Sequence, residues 1–156
     1  MEMYIMTYLT PEINKIFSLH SKQINIVNMN EDFFLLTTYK KYSNIEPLSF
    51  NKDFFLFVPQ DNKIVYKKDI PDSSFNIGLT TLRAYKSLLS QDYKKFGEQL
   101  LINHNLEWQY IEDNAKINIE FLNMLGNGAW GGRICSNGFV FICPPDKRES
   151  IICTKK

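Results

Sequence analysis

The sequence predicts a single α+β domain, built mainly from an antiparallel sheet with two β-hairpins and a central pair of helices packed on one side. Three observations favour this class. The chain has 156 residues, the length of one ordinary domain. Two β-rich runs are each followed by turn formers and a further β-rich run, and a central stretch carries apolar residues at helical spacing. Runs of strands followed by runs of helices are typical of α+β rather than doubly wound folds.

The first third of the chain predicts one helix and then strands. Residues 11–19 place apolar side chains at helical spacing behind a proline, with Thr10 as the N-cap. Residues 23–29 partly alternate apolar and polar positions, and residues 32–42 are rich in Phe, Leu, Thr and Tyr, which suit a pleated, half-buried surface.

A first hairpin is predicted where residues 54–58 (FFLFV) and 63–67 (KIVYK) flank four turn-forming residues. The run FFLFV is apolar at every position. Such a run is typical of a strand that is covered on both faces, so we expect it to be central in the sheet.

The middle of the chain predicts two helices. Residues 79–90 carry one apolar stripe near the helical period of 3.6 residues. A second helix is expected to run to about His104, capped by Ser90 or Asp92. Gly97 lies inside it and costs roughly 1 kcal/mol relative to Ala. The two helices are expected to form an antiparallel pair on one side of the sheet.

The following segment is open to two interpretations. Residues 106–111 (LEWQYI) and 116–122 (KINIEFL) both alternate, and they predict two strands joined by a turn at residues 112–114. Residues 116–125 also fit a helix capped by Asn114. We favour the strand, because β-branched isoleucine recurs at every second position.

A second hairpin is predicted at the end of the sequence. Residues 139–143 (FVFIC) and 150–154 (SIICT) are both β-rich, and a charged loop with two prolines lies between them.

The charge and composition exclude some classes of protein. The formal net charge is +1, which argues against a uniformly basic binder of nucleic acid or of acidic lipid. No stretch approaches 18 consecutive apolar residues, and the first residues lack the basic start of a secretory signal. The three cysteines are an odd number and lie close together. We therefore expect a cytoplasmic protein with reduced thiols and no membrane association.

A glycine cluster occupies residues 126–138 and contains GNGAWG, which matches G-x-G-x-x-G. A strand is expected after it instead of a helix, and too little chain follows for a dinucleotide-binding unit. We interpret the cluster as a surface loop with Trp130 beneath it. The alternative is a binding loop in which Trp130 and Arg133 contact a partner.

A thiol enzyme is a second hypothesis. It would pair a cysteine with a histidine, and the candidates are Cys135 with His104 or His20. Cys143 and Cys153 lie in strand patterns and are expected to pack as small apolar groups. The cysteine spacings lack the short knuckles of zinc sites. The sequence predicts no metal site and no cofactor.

The segment 98–120 is acidic. It carries five acidic residues and one basic residue, a net charge of −4. If residues 106–122 form a hairpin, these side chains make an anionic surface that bears aromatic rings and suits a basic partner. With the glycine loop included, the predicted partner-binding residues are Glu107, Trp108, Tyr110, Glu112, Asp113, Glu120, Trp130 and Arg133.

These observations favour a non-enzymatic protein-binding protein. Phe, Ile, Asn, Lys and Tyr account for 67 of the 156 residues, which indicates AT-rich coding of the kind found in phages and mobile bacterial cassettes. The specific hypothesis is an immunity or antitoxin-type inhibitor that neutralises a toxin domain, for instance a basic nuclease. The alternatives are a small enzyme that uses Cys135 or carboxylates near residues 126–138, and a viral or phage protein that binds a host factor.

Overall fold

The computed structural model describes residues 24–29, 32–39, 42–62, 65, 75–109, 111–112, 115–135 and 138–154. Within these residues the chain forms two three-stranded antiparallel sheets and four α-helices, so the predicted α+β class is confirmed. The helix predicted over residues 11–19 lies outside the described residues, as do residues 63–67 apart from Val65.

The elements follow one another in a simple order. The strands are β1 (Ile24–Met29), β2 (Asp32–Tyr39), β3 (Tyr42–Leu48), β4 (Phe55–Pro59), β5 (Gly131–Cys135) and β6 (Gly138–Ile142). The helices are α1 (Phe75–Leu89), α2 (Tyr93–Trp108), α3 (Ala115–Leu125) and α4 (Arg148–Thr154). Short 3₁₀ turns at Lys52–Phe54 and Pro145–Lys147 precede β4 and α4. Among the helices described, none has the length and apolar character needed to cross a bilayer.

The first sheet has the order β1-β2-β3. Met29 pairs with Asp32 and Tyr39 pairs with Tyr42, so both connections have two residues. The strand predicted over residues 23–29 is confirmed. The β-rich run of residues 32–42 contains all of β2 and the first residue of β3.

The second sheet has the order β4-β6-β5, with β6 antiparallel to both neighbours. Within the described residues β6 is the central strand of this sheet. The FFLFV run supplies most of β4 and pairs with β6 on one side, as Leu56 does with Phe141. Its predicted partner on the other side, residues 63–67, lies outside the described residues apart from Val65, so the central position stays a prediction. The FFLFV run is apolar on both faces because both faces of this sheet are covered.

Two hydrophobic cores lie on opposite faces of the second sheet. On the side of α1 and α2, core 1 consists of Phe55, Ala84, Leu88, Phe96, Leu100, Cys135, Val140 and Ile142. On the side of α3 and α4, core 2 consists of Leu56, Val58, Phe121, Met124, Ile134, Phe139, Phe141, Cys143 and Ile151. The alternation of strand side chains between the faces divides the two sets. The helical pair predicted for residues 79–104 is confirmed as α1 and α2.

The strands predicted for residues 106–111 and 116–122 are wrong. The second helix does not stop near His104, because α2 continues to Trp108 with Glu107 on its buried face. In α3 the buried residues Phe121 and Met124 recur at helical spacing, while Ile119 is exposed. The helix that was the alternative for residues 116–125 is the correct interpretation.

The second predicted hairpin is also wrong, because residues 150–154 belong to α4. The Ser150 and Thr154 hydroxyl groups both donate to carbonyls of preceding turns, at Lys147 and Ser150. Ile151 is buried in core 2. Packing of one helical face therefore overrides the β-propensity of the SIICT run.

Candidate binding cleft

An open cleft of about 810 Å³ lies where the chain between β3 and β4 meets the corner between α1 and α2. We call it the aromatic cleft. Its apolar and aromatic wall is formed by Leu48, Phe50, Phe54, Tyr85, Leu88, Leu89 and Tyr93, and its remaining lining by Ser49, Asn51 and Gln91.

One wall of the aromatic cleft is fixed by hydrogen bonds around Asn51. The Asn51 side chain caps the 3₁₀ turn by accepting from the Asp53 N–H at 3.0 Å. The Asn51 N–H donates to the Tyr93 hydroxyl at 2.8 Å. The Phe54 ring stacks on Tyr93 at 4.5 Å between centroids and on Trp130 at 5.9 Å. Three rings from separate parts of the chain are thereby held together.

The rest of the cleft lining comes from the corner between α1 and α2. Gln91 has a φ of 59°, the left-handed conformation that closes many helix ends. The Asp92 N–H then donates to the Ser87 carbonyl, and the Asp92 carboxylate accepts from the Lys95 N–H at 3.1 Å. This confirms Asp92 as the predicted cap of the second helix. Leu89 stands at the cleft edge with 67% of its surface exposed.

Two of the predicted partner-binding residues form a buried ion pair. Arg133 Nη2 lies 3.4 Å from Glu107 Oε2, and the residues are 4% and 2% exposed. Glu107 was expected on an exposed hairpin, and Arg133 on a surface loop. Both expectations are wrong, because α2 extends past His104 and lies against β5. Burying a charge is costly unless it is paired, so each side chain depends on the other.

His104 is buried next to this pair. Its Nδ1 accepts from the Ile134 N–H at 3.5 Å, and its ring packs on Trp108 and Phe121. Burial, assisted by the positive charge of Arg133, lowers the pKa of His104 to about 3. The imidazole is therefore neutral in the folded protein near neutral pH.

The remaining acidic candidates do not gather on one hairpin. Glu112 is exposed, and its N–H donates to the Val65 carbonyl at 2.8 Å. Glu120 is half-buried on α3 and accepts a hydrogen bond from Gln60 Nε2 at 3.3 Å. Tyr110 and Asp113 lie outside the described residues.

The two tryptophans are half-buried and pack on different cores. Trp108 lies against core 2, and Trp130 lies against core 1 behind Phe54 of the aromatic cleft. Trp130 is thus the predicted partner-binding residue that the structure brings next to the cleft.

The thiols do not form the predicted pair with His104. Cys135 is fully buried in core 1, whereas the His104 ring packs on Trp108 and Phe121 on the side of core 2. A catalytic thiol must be accessible to its substrate, and the buried Cys135 is not; His20, the other candidate partner, lies outside the described residues. Burial raises the pKa of Cys143, which disfavours the thiolate. Cys153, expected to be packed, is exposed on α4.

The glycine cluster serves packing more than loop formation. Gly131 and Gly132 are buried in β5, so the interpretation as a surface loop is wrong for them. A Cβ on Gly131 would lie 1.7 Å from the Gly97 carbonyl oxygen. The glycine that weakens α2 is therefore the position at which this helix crosses β5.

Sequence reasoning missed the aromatic cleft. Phe54 was assigned to a strand, and Tyr85 and Tyr93 to the apolar faces of helices. The one signal in the sequence was the tyrosine hydroxyl at the start of α2, a polar group on a side chain assigned to the core.

Within the described residues, no group of three or more His, Cys, Asp or Glu side chains is placed to hold a metal ion. The cleft presents aromatic surface and a few polar groups, a lining that is typical of ligand sites.

The fold and the cleft define an α+β domain with an open aromatic cleft. No protein-family model and no curated protein matches the sequence. Among solved structures, the chain is similar to L. major mevalonate kinase in complex with R-mevalonate, with a TM-score of 0.55 and 16% identity over 79% of this chain and 44% of that chain. It is also similar to a D-glycero-D-manno-heptose 1-phosphate kinase from Bacteriodes thetaiotaomicron, with a TM-score of 0.46 and 15% identity over 78% and 37%. The chain spans less than half the length of either protein, and the likeness to the first concerns the fold.

Proposed function

We propose that this chain is a non-catalytic protein-binding domain and that the aromatic cleft receives a segment of its partner. The observation that carries the proposal is a stack of aromatic rings beside a leucine that is two-thirds exposed. Protein interfaces draw most of their binding energy from a few anchors seated in pockets, and aromatic side chains are common among them. A pre-formed wall also reduces the entropy that binding costs.

An immunity or antitoxin-type inhibitor is one member of this class, and it is the specific version that the sequence suggested. Its partner would be a toxin domain, and its activity would be the inhibition of that toxin. In the described residues the predicted acidic hairpin is replaced by the end of α2 and by α3, and Glu107 lies in a buried ion pair. We therefore propose the aromatic cleft, instead of residues 107–120, as the contact surface of such an inhibitor.

The experiment compares two exposed apolar residues on different helices. Tagged full-length chain captures its partner from a lysate of the source organism, and the affinity is then measured with Leu89→Ser and with Ile119→Ser. We expect Leu89→Ser to weaken binding roughly tenfold or more, the cost of losing an interface anchor. Ile119, which is 58% exposed on α3, is the matched control and should leave binding unchanged. Equal effects of the two substitutions would contradict the proposal.

A second candidate function is the phosphorylation of a small molecule, with this chain forming one portion of a longer kinase. Its support is the similarity of fold to L. major mevalonate kinase, over 44% of that chain. An identity of 16% carries no residue-by-residue correspondence. Titration of the chain with R-mevalonate tests this candidate, and absence of heat and of ligand-induced thermal stabilisation would count against it.

A further inference from the structure

The outward face of α1 combines apolar and cationic side chains. Leu82, Lys86 and Leu89 follow one another at positions i, i+4 and i+7, which places them along one stripe of the helix. Leu82 is 49% exposed, and Arg83 is exposed beside it. This stripe therefore offers a partner both apolar contact and positive charge on one helix face.

A second cleft of about 380 Å³ lies beside this stripe, and we call it the basic cleft. Three of the residues that line it are cations: Arg83, Lys86 and Lys95. Its one acidic residue is Asp92, whose carboxylate already accepts a hydrogen bond from the Lys95 N–H. In the part of the chain that the structure describes, no ion pair involves any of the three cations.

The two clefts share the last turns of α1. Leu89 lines the aromatic cleft and Lys86 lines the basic cleft, and residues three apart on a helix are surface neighbours. An extended segment that leaves the aromatic cleft over Leu89 therefore meets Lys86 next. The positive charge lies on the path of such a segment.

We propose that the partner segment is acidic: an apolar or aromatic side chain occupies the aromatic cleft, and aspartate or glutamate side chains next to it pair with Lys86, Arg83 and Lys95. This inference rests on the proposed function of the aromatic cleft and adds the chemistry of the partner. Charge complementarity of this kind accelerates association and selects the partner. The proposed partner segment is therefore negatively charged, whereas the sequence suggested a basic partner.

The test uses two synthetic peptides with identical phenylalanine and leucine positions. One carries glutamate at the intervening positions, and the other carries lysine. Isothermal titration against the full chain at low salt should give roughly tenfold or tighter binding of the glutamate peptide, because steering and pairing favour it. The preference should shrink at high salt, where exposed charges are screened.

Charge reversal identifies the surface that gives this preference. The double substitution Arg83→Glu/Lys86→Glu should abolish or invert the preference for glutamate. Lys116→Glu, an equivalent change at an exposed lysine on α3, is the control and should leave it unchanged. Circular dichroism confirms that each variant is folded.

The outcomes separate the two proposals. Tighter binding of the lysine peptide, or failure of the glutamate peptide to bind, overturns the acidic assignment. The aromatic cleft is judged independently by Leu89→Ser against the captured partner. If that substitution has no effect, the proposed function itself fails, whatever the peptides show.

Discussion

At the scale of single residues, the structure contains a group of buried polar side chains where α2 packs against β5 and α1. Arg133 and Glu107 pair at 3.4 Å, and His104 lies near enough for the guanidinium to lower its pKa. Asn103 Nδ2 donates to the Thr80 and Thr81 hydroxyl groups at 3.1 and 3.0 Å. Buried polar groups are tolerated when they are partnered, so this group specifies how α1, α2 and β5 meet.

His104 predicts a dependence of stability on pH. The pKa of His104 is about 3 in the folded protein, against 6.5 for an ordinary histidine. Between these values the unfolded chain binds a proton that the folded protein does not. The free energy of unfolding should therefore fall by as much as about 1.4 kcal/mol for each pH unit below 6.5. Above pH 6.5 the residue is neutral in both states and adds no pH dependence.

Urea denaturation at a series of pH values measures this slope. Other groups also titrate in acid, so the comparison is with His104→Gln, whose amide oxygen can accept from the Ile134 N–H and does not titrate. The difference in slope between the wild-type protein and this variant isolates the histidine. Parallel curves between pH 6.5 and 4 would show that the imidazole is not held neutral.

At the scale of elements, α2 crosses β5 with the two backbones in close contact. Gly97 and Gly131 face each other there, and a Cβ on Gly131 would overlap the Gly97 carbonyl. Since backbone cannot move aside as a flexible side chain can, we expect Gly131→Ala to lower the free energy of unfolding by roughly 3 kcal/mol or more.

Gly126→Ala is the matched control for this prediction. A Cβ on Gly126 would meet its nearest neighbour at 3.5 Å, an ordinary contact, and its φ is not in the left-handed range. This change should alter the free energy of unfolding by much less than Gly131→Ala. Chemical denaturation measures the free energy of unfolding of both variants. A similar cost for the two substitutions would contradict the packing argument.

The individual elements also show which parts of the fold could be predicted from the sequence. The α1–α2 pair and the Asp92 cap were predicted because their apolar periodicity and turn residues are local signals. The last turn of α2, after His104, was missed because its buried face contains Glu107, a charge that hides the helical period. In α3, the alternation of Ile117, Ile119 and Phe121 imitated a strand, although packing buries the face of Phe121 and exposes Ile119.

The candidate site was less predictable than the fold for a physical reason. The aromatic cleft is assembled from residues 48–54, 85–89 and 91–93, which meet only after the chain has folded. No local spacing encodes that meeting. Trp130 was identified as a candidate because it is a tryptophan in a glycine-rich segment, and it supports the cleft from behind Phe54.

At the scale of the whole molecule, the second sheet joins two cores. Side chains of β4 and β6 alternate between core 1 and core 2, with Val140 in the first and Phe139 in the second. Loss of the packing on one face therefore removes support from the strands that carry the other. We expect the cores to unfold as one cooperative unit, as small single domains usually do.

The two tryptophans provide one reporter for each core. Trp130 packs on core 1 and Trp108 packs on core 2. In Trp108→Phe the fluorescence reports on core 1 alone, and in Trp130→Phe it reports on core 2 alone. In each variant, the urea midpoint by fluorescence should coincide with the midpoint of the same variant by far-ultraviolet circular dichroism, because loss of either core disrupts the shared strands.

Both midpoints are measured on the same variant, so the stability that the tryptophan substitution removes affects them equally. If fluorescence in one variant changed at lower urea than the helical signal, the core beside that tryptophan would unfold first. The sheet would then be shown to pack against two independently stable layers.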